Sequence, residues 1–501
     1  MNKVLVFLDQ MDSLALEEAV IKLKEGWFVY FVQCDKAVGI CRFNKGGFKS
    51  YCYLCKHSMM SQITELRNKY PNSIDYKTVS DLTNNDFINK SKTTHFEYNS
   101  VAELKSLQYK GVDIGYAAFS TYVSQTRNID PIFNKYLYGY IDALIESQVL
   151  LIETLDPYID TIRPDLIVFH NGRFSSLKPI YQLAKNKGID FIATEHQRDI
   201  NKVSKKNNTL NSIPHSETVV VEKIEHFWDI GPDDKYDIAK GFFENRRFGK
   251  FAGDKVYTAA QKTGEMPDGF DKNKINIAIY NSSEDEYFSI SKEYDDAVLF
   301  PTQHEAFTTI FEHYKNNKNI HFYLRIHPNL QDTPQKYQDL FLNFKYDNVT
   351  VIPPKSSISS YTLMDCCDKI IVFNSTMGLE STYWDKPVII MSTTYYTEMG
   401  IAYRPRTCKE MFELIDDEKL PAKGKDKCLK AGYLLTGIPY PELQYYPDTE
   451  IVKSLGGRVY VVVRNQYKLW GSSFLLGLCL KVLTMMMHLF GKSKKLAEKT
   501  I

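Results

Sequence analysis

The 501-residue chain lacks a charge surplus: 62 lysines and arginines face 61 aspartates and glutamates. No global field gathers nucleic acid or another polyanion, so no nucleic-acid partner is expected. Cysteine is sparse at nine, too few for a disulfide scaffold. There is no G-x-x-x-x-G-K-[ST], no G-x-G-x-x-G and no G-x-S-x-G. No convincing D-x-D lies between strands to hold a metal–nucleotide pair. Phosphate handling is therefore expected to rest on a helix dipole, His and Arg, with no cofactor needed for catalysis. The opening "MNKVLVFLDQMDS" has too short an apolar run for a signal peptide, with Asp9 and Asp12 where a cleavage region belongs. A cytoplasmic chain with reduced thiols is the expectation.

What is present is a series of short apolar strands alternating with helical spacing. "KVLVFL" (3–8), a helix to Gly26 and "WFVYFVQC" (27–34) begin it. "LIVFHNGR" (166–173) and "IDFIATEH" (189–196) continue it. A second series follows: "KINIAIY" (274–280), "IHFYLRIHPN" (320–329), "NVTVIPP" (348–354), "KIIVFNST" (369–376) and "KPVIIMS" (386–392). Short buried strands alternating with helices mean parallel sheets covered on both faces. The expected fold is α/β: two Rossmann-like domains facing each other across a cleft, over 1–250 and 270–405. A helical and strand extension over 406–470 and a distinct tail over 471–501 complete the chain.

Chemistry is expected where strands end. In "FNSTMGLES", Ser375, Thr376 and Gly378 open a helix whose free N–H groups suit a phosphate. Gly378 would let a ligand approach the backbone, and Glu380 would reach a ribose hydroxyl. A merely capped helix explains the same residues. In "YLRIHPN", Arg325 and His327 end a strand, and Pro328 fixes the turn that aims the imidazole. "YNSSEDE" sets Ser282 and Ser283 at a third strand end; its acids suit a helix dipole. On the other domain, Asn171-Gly172 marks a tight turn and Arg173 suits a phosphate or acidic sugar. Glu195 and His196 are candidates for the base that deprotonates a sugar hydroxyl. Arg246 and Arg247 read as a solvated helix end rather than the alternative, a substrate clamp.

The series "NGR … TEH … SSEDE … RIHPN … STMGLES … DKPVI" resembles bacterial surface-polysaccharide glycosyltransferases of the GT-B architecture. Within these it is similar to capsule polysaccharide biosynthesis proteins, which include Kdo- and sialic-acid-transferring enzymes. The resemblance implies a nucleotide-sugar donor in the C-terminal domain, on His327, Ser375, Thr376 and Glu380, with Ser282 and Ser283 lining the same cleft. It implies a glycan or lipid-linked acceptor met by the N-terminal domain, with Glu195 or His196 acting across the cleft. Alternatives are a GT-B-like nucleotide-sugar 2-epimerase, a glycerophosphotransferase, or a non-catalytic carbohydrate-binding or assembly protein.

Two stretches stand apart. Cys34, Cys41, Cys52 and Cys55 lie within 22 residues, enough thiols for a structural zinc. Unligated buried thiols are the equal alternative; thioredoxin-type chemistry is disfavoured because the C-x-x-C is not expected to open a helix. "FLLGLCLKVLTMMMHLF" (474–490) is short of the ~20 residues that span a bilayer. Its polar interruptions fall at helical spacing, with Trp470 before and lysines after. That pattern is expected of an amphipathic helix on the cytoplasmic face of the inner membrane; a helix docked on the protein, or a true span, are the alternatives.

Overall fold

A computed structural model describes residues 1–445, apart from 10–12, 45, 48, 254–256 and 258–260. The tail and the strand-like "RVYVVVR" lie outside the described residues.

The first sheet contains β1 (Lys3–Leu8), β2 (Phe28–Gln33), β3 (Ile74–Thr78), β4 (Leu166–His170) and β5 (Asp190–Thr194). A short hairpin, β6 (His196–Arg198) with β7 (Ser204–Lys206), precedes β8 (Thr209–Leu210). The order is β3-β2-β1-β4-β5-β8, parallel except for β8. The second sheet holds β9 (Ile275–Tyr280), β10 (Ile320–Arg325), β11 (Val349–Ile352), β12 (Lys369–Val372) and β13 (Val388–Ile390). Its order is β11-β10-β9-β12-β13, all parallel. Both are doubly wound sheets. The central strands are buried almost end to end because helices cover both faces, which is why "KVLVFL" and "INIAIY" read as continuous apolar runs.

The domains differ from the expected boundary near residue 250. Helices Glu217–Asp229 and Lys235–Arg247 supply Ile224, Phe242 and Phe243 to the core under the second sheet. The first domain thus ends before Glu217. After helix Lys425–Leu435 the chain returns to it. The Gln444 and Tyr445 N–H groups donate to Glu17 Oε1 and Oε2, each at 2.7 Å, and the Lys206 N–H donates to the Pro441 carbonyl at 2.7 Å.

The two domains also share apolar contact. Helices Ile114–Thr126 and Lys135–Ile162 place Phe119, Ile141 and Ile145 in one cluster with Ile277, Phe307 and Phe322 of the second domain. Arg127, in the left-handed conformation that ends the first of these helices (φ 56°), reaches across. Its Nε donates to Asp285 Oδ2 at 2.8 Å and its Nη2 to Ser283 Oγ at 2.7 Å.

The cysteine stretch is a correction in detail. Cys52 and Cys55 lie in the first turns of helix Lys49–Lys69, so the C-x-x-C does open a helix. The Asn44 amide donates to Cys52 Sγ at 3.2 Å, while Cys55 Sγ lies 3.9 Å from the Asp9 carbonyl and Cys34 Sγ 3.8 Å from the Asp35 carbonyl. Burial, then the neighbouring Cys52, pushes the Cys41 thiol up to about 12, and burial raises Cys34 well above its usual range. The sulfurs of Cys34, Cys52 and Cys55 thus lie against two carbonyls and an amide. Among the described residues no group of three or more His, Cys, Asp or Glu is placed to hold a metal ion, so the zinc expectation for Cys34, Cys41, Cys52 and Cys55 finds no ligand set.

Candidate active site

Strand register builds the site. Tyr280 of β9 pairs with Arg325 of β10 and with Val372 of β12, so three strands end level. Order reverses around β9, and the crevice beyond the carboxyl ends at such a switch point is where α/β folds bind ligands. A cavity of about 500 Å³ opens there. Its walls include Ser282, Ser283, Arg325, His327, Ser375, Thr376 and Glu380, seven of the donor-side residues expected from sequence.

The walls are rich in N–H donors. Asn281 Oδ1 accepts the His327 N–H at 2.7 Å, which fixes the amide orientation. Its Nδ2, buried at the cavity wall, has no hydrogen-bond partner among the described residues. A buried amide without a partner costs free energy until an acceptor supplies one. His327 Nδ1 accepts the Asn329 N–H at 3.1 Å, so the neutral ring carries its proton on Nε2 and acts as a donor. The Tyr257 ring packs edge-on against it at 4.8 Å. Arg325 lines the cavity and has a second, structural duty. Its Nη1 and Nη2 hold the carbonyls of Pro353 and Ser356, at 2.5 and 3.1 Å, and burial lowers its pKa to about 10. It braces the loop after β11 while its Nε, buried, has no hydrogen-bond partner among the described residues.

At the third strand end, Ser375 caps helix Thr376–Tyr383, accepting the Met377 N–H at 3.3 Å. The capping role and the phosphate role coexist, because a capping hydroxyl still has its own proton to donate. Gly378 is a correction: its missing Cβ makes room for protein, not ligand. A Cβ there would lie 2.5 Å from Tyr396 Oη and 2.9 Å from Val372 Cγ2. Tyr396 in turn donates to the Ser375 carbonyl at 2.6 Å, so this packing holds the loop before the helix. Gly378→Ala is expected to destabilise the fold by ~1–3 kcal/mol through overpacking. Adding Tyr396→Phe should restore part of the loss, which urea unfolding of the three variants would read.

Arg246, which reads in sequence as a solvated helix end, is a cavity residue. It stands on helix Lys235–Arg247 but lines the cavity, with Nε donating to Glu380 Oε1 at 3.1 Å and Nη2 to Thr376 Oγ1 at 3.2 Å. The Tyr361 hydroxyl donates to the other Glu380 oxygen. Glu380 is therefore the anchor of a cavity arginine. The signal was weak because the helix lies about 130 residues away in sequence, on a segment read as part of the first domain. Arg247 is also placed, pairing with Asp365 and stacking on Trp384 at 4.6 Å.

A second cavity of about 350 Å³ adjoins the first, sharing Ser282, Ser283, Glu286 and Asn374 with it. Its far wall brings His215 and Glu217 from the crossover between domains. Around it lie the other expected residues. Asn171 (φ 56°) and Gly172 (φ 84°) form the tight turn after β4, a conformation that favours Asn and Gly. Asn171 Nδ2 donates to Glu195 Oε2 at 2.5 Å and to His215 Nε2 at 3.1 Å. Burial pushes Glu195 up, but His170, the Asn171 amide and His215 outweigh it and hold the carboxyl below its ordinary value. Burial, then Arg173, lowers His215 to about 4. Arg173 Nη1 spans the cleft to the Glu286 carbonyl at 2.8 Å, and burial, then Arg42, lowers its pKa to about 10. His196 sits on the β6–β7 hairpin with Nε2 3.2 Å from Ser204 Oγ, and neither it nor Glu195 lines either cavity.

Two doubly wound domains thus place a cavity rich in N–H donors at a switch point, where α/β folds bind ligands. The family model of capsule polysaccharide biosynthesis proteins matches residues 293–413, which include the β10 and β12 ends. No curated protein matches the chain in sequence. Among solved structures it is similar to the KpsC β-Kdo 2,4 transferase of Thermosulfurimonas dismutans, at 15% identity over 54% of this chain and 79% of that one, with a TM-score of 0.35. The UDP-GlcNAc 2-epimerase of Neisseria meningitidis shares 12% identity over 87% and 99%, with a TM-score of 0.24. The Streptomyces nogalater glycosyltransferase SnogD shares 12% over 88% and 97%, with a TM-score of 0.23.

Proposed function

We propose that the protein is a glycosyltransferase of bacterial surface polysaccharide synthesis, moving a sugar from a nucleotide-sugar donor to a glycan or lipid-linked acceptor. The observation that carries this is the convergence of the Asn281 amide, the His327 imidazole, Arg246 and the N-terminus of helix Thr376–Tyr383 on one cavity facing the first domain. Those groups suit a diphosphate or phosphodiester. Donors fixed in advance at the place where the leaving phosphate gathers charge stabilise the transition state without reorganising. The family match over 293–413 supports the polysaccharide setting. The spacing of 474–490 supports docking on the inner-membrane surface, where a lipid-linked acceptor lies.

A thermal-shift screen with CMP-, UDP-, GDP- and dTDP-sugars tests the reading, since a ligand of the native state raises Tm by mass action. One nucleotide class should shift Tm by several degrees, and no shift from any of them would sink it. His327→Ala should weaken that binding by about tenfold, the worth of roughly one charge-assisted hydrogen bond. The ligand-free Tm should stay close to wild type.

A further inference from the structure

The first cavity suits phosphate, and the second continues it through Ser282, Ser283 and Asn374. A group bonded to that phosphate has the second cavity as its nearest room. The walls there differ in kind. The Tyr287 and Tyr294 rings, 5.6 Å apart and tilted by 44°, share them with Ile290 and Val220. Hydroxyls and an amide supply the polar part. Asn374 gives its Nδ2 to Tyr294 Oη at 2.8 Å, which leaves Oδ1 as an acceptor. Thr394 Oγ1 accepts the Tyr396 N–H at 3.3 Å and keeps its own proton to donate. Aromatic faces with a few fixed donors and acceptors suit a hydroxylated ring, which is apolar on its C–H faces and polar at its edge.

His215 stands on the far wall, and its polarity is set from the first domain. The turn after β4 does this. Asn171 takes the Arg173 N–H on Oδ1 at 3.3 Å, and its own N–H donates to the Thr194 carbonyl at 3.0 Å. Its Nδ2 meets Glu195 Oε2 at 2.5 Å. Glu195, held below its ordinary value, is an ionised carboxylate and can only accept. The amide nitrogen therefore faces it. The same nitrogen lies 3.1 Å from His215 Nε2, so Nε2 accepts and the ring proton sits on Nδ1. Crowding in the cleft, then the Arg173 cation, lowers the His215 pKa to about 4 against the pull of Glu195, with His170 also facing the ring. The imidazole is thus neutral near pH 7. Among the described residues it has no hydrogen bond besides the one from Asn171, and it is exposed in the cavity wall.

We propose that the second cavity seats the transferred sugar ring of the nucleotide sugar, and that the His215 Nδ1–H is the donor that recognises one of its oxygens; this rests on the glycosyltransferase reading above. The tautomer is chosen in advance by Asn171, so the sugar meets a donor that is already directed. Tyr287 and Tyr294 pack on the ring, and Asn374 Oδ1 accepts from a hydroxyl near the phosphate.

The test compares two ligands of the full-length protein: the nucleotide sugar chosen by the thermal-shift screen, and the same nucleotide without its sugar. Calorimetric titration of each gives the ratio of the two affinities. His215→Ala should weaken the nucleotide sugar by about tenfold, the worth of one directed hydrogen bond, and leave the bare nucleotide within about twofold. His215→Asn sets an amide N–H where Nδ1–H stands and should restore most of the ratio. His215→Gln reaches only the Nε2 position and should not. A ratio within about threefold of wild type in His215→Ala overturns the proposal, equal losses for both ligands included. A lost ratio that His215→Asn fails to restore overturns it too. If wild type binds no nucleotide sugar, the parent reading has failed and this one falls with it; that outcome is read on the wild type, before any variant.

Discussion

Arg246→Ala is expected to weaken nucleotide-sugar binding by about 10- to 100-fold and to destabilise the fold by ~3 kcal/mol. The stability loss follows from burial. The Glu380 side chain is 1% exposed and the Arg246 side chain 12%. Removing one partner of a buried ion pair strands the other, at a typical cost of ~3–5 kcal/mol. The Tyr361 hydroxyl stays on Glu380, which puts the expectation at the low end. The affinity loss has a separate origin, the missing cation beside the N-terminus of helix Thr376–Tyr383. The double variant Arg246→Ala/Glu380→Gln separates them. Neutralising the stranded carboxyl should recover most of the stability while binding stays weak. Urea unfolding and donor titration would measure both, and recovered binding in the double variant would show that Arg246 acts only through the fold.

The second large effect is on pH dependence. Burial, eased by hydrogen bonds from Tyr337 and Gln303, pushes the Glu284 carboxyl up to about 7. A carboxyl whose pKa is raised on folding favours the native state when protonated. Its contribution is complete below its ordinary value, about 4.5, and is lost as pH rises toward about 7. Integrated over that window the loss is roughly 3 kcal/mol at 1.36 kcal/mol per unit. Glu284→Gln should flatten this slope between pH 5 and 7.5, measured as unfolding free energy against pH. Parallel slopes for variant and wild type would show that Glu284 does not titrate in that range.

The strand ends were legible because α/β folds place chemistry there and because Pro328, Ser375 and Asn171-Gly172 punctuate the turns. A strand and the motif after it are local in sequence, so "RIHPN" and "FNST" could be set beside one cavity before any coordinates. Arg246 was not legible, since a helix that crosses to the other domain carries no local mark of its destination. Gly378 was read for the wrong neighbour: sequence shows that a side chain is missing, not what fills the space. In "SSEDE" three acids looked alike, and only folding separates a buried Glu284, a paired Asp285 and a cleft-facing Glu286. The extent of apolar contact between domains was hidden as well, because helix Lys135–Ile162 reads as amphipathic whichever core it covers.

Among the described residues the chain crosses between domains twice, outward before Glu217 and back after Leu435. A single connection would let one domain swivel on the other. Two connections, together with the shared apolar cluster, oppose such a swivel. A proteolytic nick in one connection leaves the halves tethered by the other, and by the shared apolar cluster of Phe119 and Phe307. Limited proteolysis of the crossover should therefore yield fragments that co-migrate under native conditions and separate only in denaturant.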